Sequence, residues 1–351
     1  MLRSGIKDKP MRKNISILLA FTVFCTVLIY PTQAQSTKIR VGIIGDSNSD
    51  EYRADDNRAG GTSYAKTSLS WVELLAKYKD IDFGAWGKWG GERRSGYEYN
   101  WARSAATSES MIANGQHTGL AEQVKAGKID YTIIFIGSND FHSWNGTYEE
   151  VYSGKRSDEK LQKKIDTIVA NITLAVETLQ AAGNVKIILT NYADPNSSAD
   201  FITKYPDATK RARVSNAITQ VNEGLAELAK SHNLILADLY NFGSSVLSRI
   251  DAKGNIIVGG EAINAVVHGD EPHHLQLGDS VGHLGTVGSG LVANFYLAAL
   301  ASDNVSIPPF TDAELLANAG ISAASPAPTS TTSIGSQLNQ LKASLLHLLN
   351  Q

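Results

Sequence analysis

Cysteine is almost missing from the 351 residues: the one thiol, Cys25, falls inside the apolar run Ile15–Tyr30. A chain that loses this run has no disulfide, no thiol nucleophile and no cysteine-based zinc site. Charge of one sign is also scarce. The net charge is −3, and Met1–Ala34 holds five cations (Arg3, Lys7, Lys9, Arg12, Lys13) against Asp8, leaving 27 Lys and Arg against 34 Asp and Glu in the rest. Such a remainder has no basic excess for phosphates, which disfavours nucleic-acid binding. After Tyr30 no run is long and apolar enough to cross a membrane, and no internal repeat appears. With 42% hydrophobic and 19% charged residues, 30 Gly and 9 Pro, the composition is that of a folded globular protein with one large domain or two small ones.

The first 34 residues read as a signal peptide: a basic stretch, the 16-residue apolar run, then Pro31-Thr32-Gln33-Ala34 with a small residue at the cleavage point. An uncleaved anchor is the minority reading. Cys25 follows Phe24 where a lipid-modified cysteine follows a small residue, so a lipoprotein anchor is not expected. The expected location is secreted or periplasmic, with no stable membrane span after cleavage.

From Lys38 onward, short β-branched runs alternate with longer helical stretches. Strands are expected at Ile39–Ile44, Tyr131–Ile136, Val185–Thr190 and Leu234–Ala237. Helices are expected near Ser70–Tyr78, Ser157–Ala182, Thr209–His232 and Val287–Ala301. This alternation predicts a parallel sheet with helices on both faces, whose ligands bind beyond the carboxyl ends of the strands. Gly45-Asp46-Ser47 and Gly137-Ser138-Asn139-Asp140 each follow a strand and so share that edge. The expected division is 1–34 signal peptide, 35–310 catalytic domain, 311–336 Ser/Thr/Ala/Pro linker and 337–351 amphipathic helix, the last from the spacing of Leu338, Leu341, Leu345 and Leu348.

Serine hydrolysis requires an exposed nucleophile, a histidine to take its proton, a group to orient that histidine, and donors for the oxyanion. Ser47 stands where Gly45 permits a tight exit from a strand, although Gly-Asp-Ser alone is also a good turn sequence. Asn139 alone reads as a turn residue and His283 alone as a loop histidine. The formal G-x-S-x-G match at Gly278–Gly282 lacks the preceding buried strand and the downstream acid of a nucleophile elbow.

Four ordered stretches change the weight of these residues. Gly45-Asp46-Ser47, Asn100-Trp101-Ala102-Arg103-Ser104-Ala105-Ala106-Thr107, Gly137-Ser138-Asn139-Asp140 and His283-Leu284-Gly285-Thr286 together resemble the four blocks of the SGNH (GDSL-type) hydrolase family, over roughly Lys38–Ser302. The resemblance implies a three-layer α/β/α fold with a flavodoxin-like parallel sheet and a carboxylic ester hydrolase, esterase or lipase-like, that needs no cofactor. It further implies Ser47 as nucleophile and His283 as general base and then acid. The Ser47 and Ala105 backbone N–H groups and the Asn139 amide would form the oxyanion hole.

Two departures stand out. Ala105 occupies a position where the family usually has Gly, so its N–H serves only where the backbone tolerates an alanine. The family's acid precedes the histidine by three residues, where this chain has Ser280; Asp279, four residues before, is the expected acid. Asp270 with His273 is the competing pair, and a Ser–His dyad the third choice.

Rival readings remain open at this level. His268, His273, His274 and His283 with Asp270 and Asp279 have metal-ligand chemistry, the basis of a metal-dependent phosphoesterase, but no H-x-x-x-H helix supports it. An exported carbohydrate-binding protein that has lost turnover through Ala105 and the shifted acid is the alternative from another class. The Gly-rich stretch Phe83–Trp101, with Trp86, Trp89, Tyr97, Tyr99 and Trp101, is fit to stack on a sugar ring or line an acyl pocket, or to pack internally. The expected partner is a small-molecule or polysaccharide ester.

Overall fold

The computed structural model describes residues 38–54, 68–90, 94–279 and 283–322. The expected signal peptide and the Leu-rich tail helix lie outside the described residues. Strands β1 (Ile39–Gly45), β2 (Ile81–Asp82), β5 (Tyr131–Phe135), β6 (Lys186–Thr190) and β7 (Ile235–Ala237) form a sheet in the order β2-β1-β5-β6-β7. Every pairing in it is parallel. Two small antiparallel hairpins are added, β3 (Trp86–Gly90) with β4 (Arg94–Tyr97), and β8 (Asn255–Val258) with β9 (Glu261–Asn264). The helices are α1 (Trp71–Tyr78), α2 (Ser108–Ala113), α3 (Gln116–Lys125), α4 (Thr147–Ser153), α5 (Asp158–Ala182), α6 (Ala199–Lys204), α7 (Ala208–Ser231), α8 (Leu239–Leu247), α9 (Thr286–Ala301) and α10 (Asp312–Asn318).

Each central strand alternates between two cores, because successive side chains point to opposite faces. Val41 and Ile43 of β1, with Tyr131, Ile133 and Phe135 of β5, join Trp71, Leu74, Val287 and Tyr296 from α1 and α9 on one face. Ile44, Ile134, Ile187 and Leu189 join Leu120, Ile168, Val176, Val214 and Val221 from α3, α5 and α7 on the other. Burying side chains of this size contributes about 1.5–3 kcal/mol each. The three layers are therefore the physical result of strands that are apolar on both sides.

Helix starts follow capping chemistry. Ser70 accepts from the Glu73 N–H while Glu73 reaches back to the Ser70 N–H, a reciprocal box that opens α1. Ser157 and Asp207 cap α5 and α7 in the same manner from one side. Helix α9 is buried around most of its circumference, which suits its near-continuous apolar sequence. Its glycines have a packing role: a Cβ at Gly290 would lie 2.3 Å from Leu315. Leu315 and Leu316 belong to α10, a capped helix at the start of the stretch expected to be a linker, and both are buried in the core.

In this sheet the winding reverses between β1 and β5, so the loops leaving their carboxyl ends part to opposite sides and open a crevice. Ser47 and Asn139 are on those two loops.

Candidate active site

The turn after β1 admits no side chain at its first residue. A Cβ on Gly45 would sit 2.8 Å from Ser49 Cβ and 3.0 Å from the Phe135 carbonyl of β5. The Asp46 carbonyl then accepts from the N–H groups of Ser49 and Asp50, both at 3.0 Å, and the tight turn presents Ser47 half-buried at the strand edge. Asp46 itself is fully buried. Its carboxylate accepts from the Asn48 N–H and Asn48 Nδ2, each at 2.9 Å, and from Ser138 Oγ at 2.6 Å. Burial pushes the Asp46 carboxyl above the usual carboxylate range, against the downward pull of the Ser138 and Asn48 hydrogen bonds and of the nearby His283.

The second block is laid along β1 by backbone bonds. Ile43 N–H donates to Tyr99 O at 3.0 Å, Trp101 N–H to Ile43 O at 2.9 Å, and Arg103 N–H to Gly45 O at 3.0 Å. The chain leaves the sheet at Arg103, and the Ser104 N–H donates to Asp50 Oδ2 at 3.2 Å. Ala105 then adopts φ +63°, the left-handed region that glycine favours and that costs an alanine about 1 kcal/mol. The alanine therefore takes up the glycine-like backbone rather than abolishing it. It is exposed, and no acceptor meets its N–H among the described residues.

At the third block, Gly137 has φ +115°, and a Cβ there would overlap the Tyr192 hydroxyl at 1.4 Å, so only glycine fits. Asn139 is buried; its Nδ2 donates to Ala106 O at 2.9 Å, tying the third block to the second. Asp140 is fully buried and accepts from the Ser108 N–H at 2.7 Å, Ser108 Oγ at 3.1 Å and Lys164 Nζ at 2.7 Å. It serves as a brace, with Lys164 balancing its charge.

His283 is buried, and its Nδ1 is hydrogen-bonded to Asp279 Oδ2. The His283 backbone N–H also donates to Asp279 Oδ1 at 3.2 Å, and the Asp279 side chain is 2% exposed. The loop is closed by Leu277 N–H to His283 O at 2.7 Å and Gly285 N–H to Leu275 O at 2.9 Å. Tyr52, five residues beyond Ser47, presents an edge-to-face ring to His283 at 6.3 Å and donates its hydroxyl to Leu284 O at 2.8 Å. The acid that meets His283 is thus four residues before it. Asp270 instead accepts the Gly278 N–H at 3.0 Å.

Several residues that sequence reasoning passed over lie here. Burial first, then Lys204, hold the His142 imidazole below its ordinary pKa. Trp144 and Tyr52 gave no signal as candidates, because their roles rest on bonds the fold creates. Of the aromatic stretch, Trp101 donates to Gln123 Oε1 at 3.0 Å and Tyr99 is buried, so both are packing residues. Trp86 is 46% exposed, edge-on to Tyr97 at 5.0 Å, with the Arg53 guanidinium 5.8 Å from its ring centre. Among the described residues no group of three or more His, Cys, Asp or Glu side chains is placed to hold a metal ion.

A parallel sheet with a serine turn and an asparagine loop at its switch point defines a GDSL-type ester hydrolase architecture. The pattern of the family described as GDSL-like lipase/acylhydrolase matches residues 41–252, more than half of the chain, and the chain belongs to that family as a carboxylic ester hydrolase. The matched span holds Ser47, Ala105 and Asn139 and ends before Asp279 and His283. Among solved structures, an acetylxylan esterase from Geobacillus stearothermophilus is similar at 17% identity and a TM-score of 0.41, over 75% of this chain and 95% of that one. An extracellular lipase from Streptomyces rimosus is similar at 17% identity and 0.41, over 76% and 99%. No curated protein matches the chain.

Proposed function

We propose that the chain is an exported serine esterase working through an acyl-serine intermediate, with Ser47, His283 and Asp279 as its triad. The observation that carries this reading is the buried Asp279–His283 pair, with its histidine near enough to Asp46, the neighbour of Ser47, to pull that carboxyl downward. A histidine whose Nδ1–H is held by a carboxylate presents Nε2 as a base. Ser47 gives its proton to that nitrogen as its oxygen bonds the ester carbonyl carbon. The resulting oxyanion is received by the Ser47 N–H, the Ala105 N–H and Asn139 Nδ2. Collapse breaks the ester bond, and the proton on His283 passes to the departing alcohol. Water then attacks the acyl-serine, losing its proton to His283, and the acid leaves as Ser47 recovers its proton.

The reading as an inactive binding protein rested on Ala105 and the shifted acid. Ala105 takes the left-handed backbone at φ +63° with no acceptor on its N–H among the described residues, and Asp279 bonds His283 from four residues before it, which favours turnover. For the alcohol side, the half-exposed indole of Trp86, backed by Arg53, supports a carbohydrate, and the proposed substrate is an acetylated saccharide. The Met1–Ala34 pattern supports export. The test is hydrolysis of p-nitrophenyl acetate with and without EDTA, beside Ser47→Ala. Turnover that resists EDTA and falls at least about 10⁴-fold in the variant is expected; activity kept by Ser47→Ala removes the nucleophile assignment. Acetate release from acetylated xylan, set against p-nitrophenyl octanoate, tests the alcohol and acyl assignments.

A further inference from the structure

Trp144 lies beside the asparagine of the proposed oxyanion hole, is 51% exposed, and donates its indole Nε1–H to Asn139 Oδ1 at 3.2 Å. An asparagine amide has nearly the same shape when turned by half a revolution about its last torsion, with nitrogen and oxygen exchanged. Only one of these orientations offers an N–H to a developing oxyanion. Two neighbours of opposite kind select it. The Ala106 carbonyl can only accept, and it takes Nδ2 at 2.9 Å; the Trp144 indole can only donate, and it takes Oδ1. The amide nitrogen carries two hydrogens, so one is left for the substrate after Ala106 has been served.

The turn that carries the indole is itself fixed from both sides. Asn145 Nδ2 donates to the Asn139 backbone carbonyl at 2.6 Å, and the Trp144 N–H donates to His142 Nδ1 at 3.2 Å. Half of the indole surface faces outward, so its place is set by these bonds more than by core packing. The hydrogen bond to Oδ1 has a second effect: withdrawing density from the carbonyl oxygen polarises the amide and strengthens its N–H as a donor.

We infer that Trp144 is a positioning residue, which holds the Asn139 amide with its N–H toward the oxyanion; this rests on the esterase reading above. Trp144→Phe keeps an aromatic ring and removes the N–H. With p-nitrophenyl acetate it is expected to lower kcat about 10-fold with KM within about twofold, while Asn139→Ala costs about 10²–10³-fold. Added to Asn139→Ala, the Trp144→Phe change is expected to cost nothing further, since the group it positions is gone. β-(3-Benzothienyl)alanine at position 144, which replaces only the indole N–H by sulfur, is expected to match the phenylalanine variant. An unchanged kcat in both Trp144 variants, a raised KM with kcat retained, or an equal loss on the Asn139→Ala background overturns the inference. Ser47→Ala separates the two failures: activity retained there refutes the esterase reading, whereas an inactive Ser47→Ala beside a fully active Trp144→Phe refutes only the role of Trp144.

Discussion

The two halves of the site are built differently. Ser47, Ala105 and Asn139 stand on loops that leave the middle of the sheet, and they are interlocked by Asp46 with Ser138, Asn139 with Ala106, and Asp140 with Ser108. His283 stands on an irregular loop, closed by its own backbone bonds and by the Tyr52 hydroxyl. Groups that stabilise charge must be preorganised to a fraction of an ångström, and the proposed oxyanion donors occupy the rigid half. A proton-transfer group needs only an oriented ring, and a loop supplies that as long as one carboxylate reaches Nδ1. This is why a spacing of four in place of three is compatible with an Asp–His pair here.

Breaking the loop half at the Asp279–His283 bond has the largest expected effect. Asp279→Asn leaves the shape intact but no longer enforces the Nδ1–H tautomer, and kcat is expected to fall by about 10³–10⁴-fold in ester hydrolysis. Asp270→Asn, at the competing acid, is expected to leave kcat within about twofold; a loss comparable to that of Asp279→Asn would transfer the role. The rigid half is probed next by Asn139→Ala, with a loss of about 3–4 kcal/mol of transition-state stabilisation and an unchanged KM. Tyr52→Phe removes the hydroxyl's bond to Leu284 O and is expected to cost about 1 kcal/mol in melting experiments and a few-fold in kcat.

The smallest effects sharpen the account of the rigid half. Ala105→Gly relieves the left-handed alanine in the folded state but frees the unfolded chain, so the two terms oppose and stability is expected to move by less than about 1 kcal/mol, read as Tm. Glu51 is buried, accepts the Tyr97 N–H at 2.8 Å, and burial first, then Asp50, raises its carboxyl well above the ordinary range. A raised folded-state pKa means that its stabilising contribution is full below the unfolded value and is lost as pH rises through the folded one. Glu51→Gln is therefore expected to flatten the decline in Tm between acidic and alkaline buffers; an unaltered slope would show that Glu51 does not drive it.

Much of the rigid half was legible because periodicity and turn chemistry agree there. The runs Ile39–Ile44 and Tyr131–Ile136 are each followed by glycine, and the strand-end rule then puts Ser47 and Asn139 on one edge. Helix boundaries were read to within a residue or so where caps such as Ser70 and Ser157 announce them. The loop half was legible only as a choice between Asp279 and Asp270, since both stand near histidines and spacing does not decide contact. The hairpin of β3 and β4 was hidden by Gly87, Gly90 and Gly96, which carry little strand preference. Helix α10 was read as linker because two buried leucines, Leu315 and Leu316, make too short a pattern to declare a helix. Trp144 and Tyr52 depend on partners 5 and 232 residues away, and nothing local marks them.

The bond from Ser138 to Asp46 joins the exits of two adjacent strands into a closed frame. The proposed nucleophile and oxyanion donor cannot drift apart unless β1 parts from β5, and that pair is at the centre of the sheet. On heating, the spacing of these two groups should accordingly persist up to the temperature at which the sheet itself gives way, so that any loss of esterase turnover below the global midpoint is expected to start in the His283 loop.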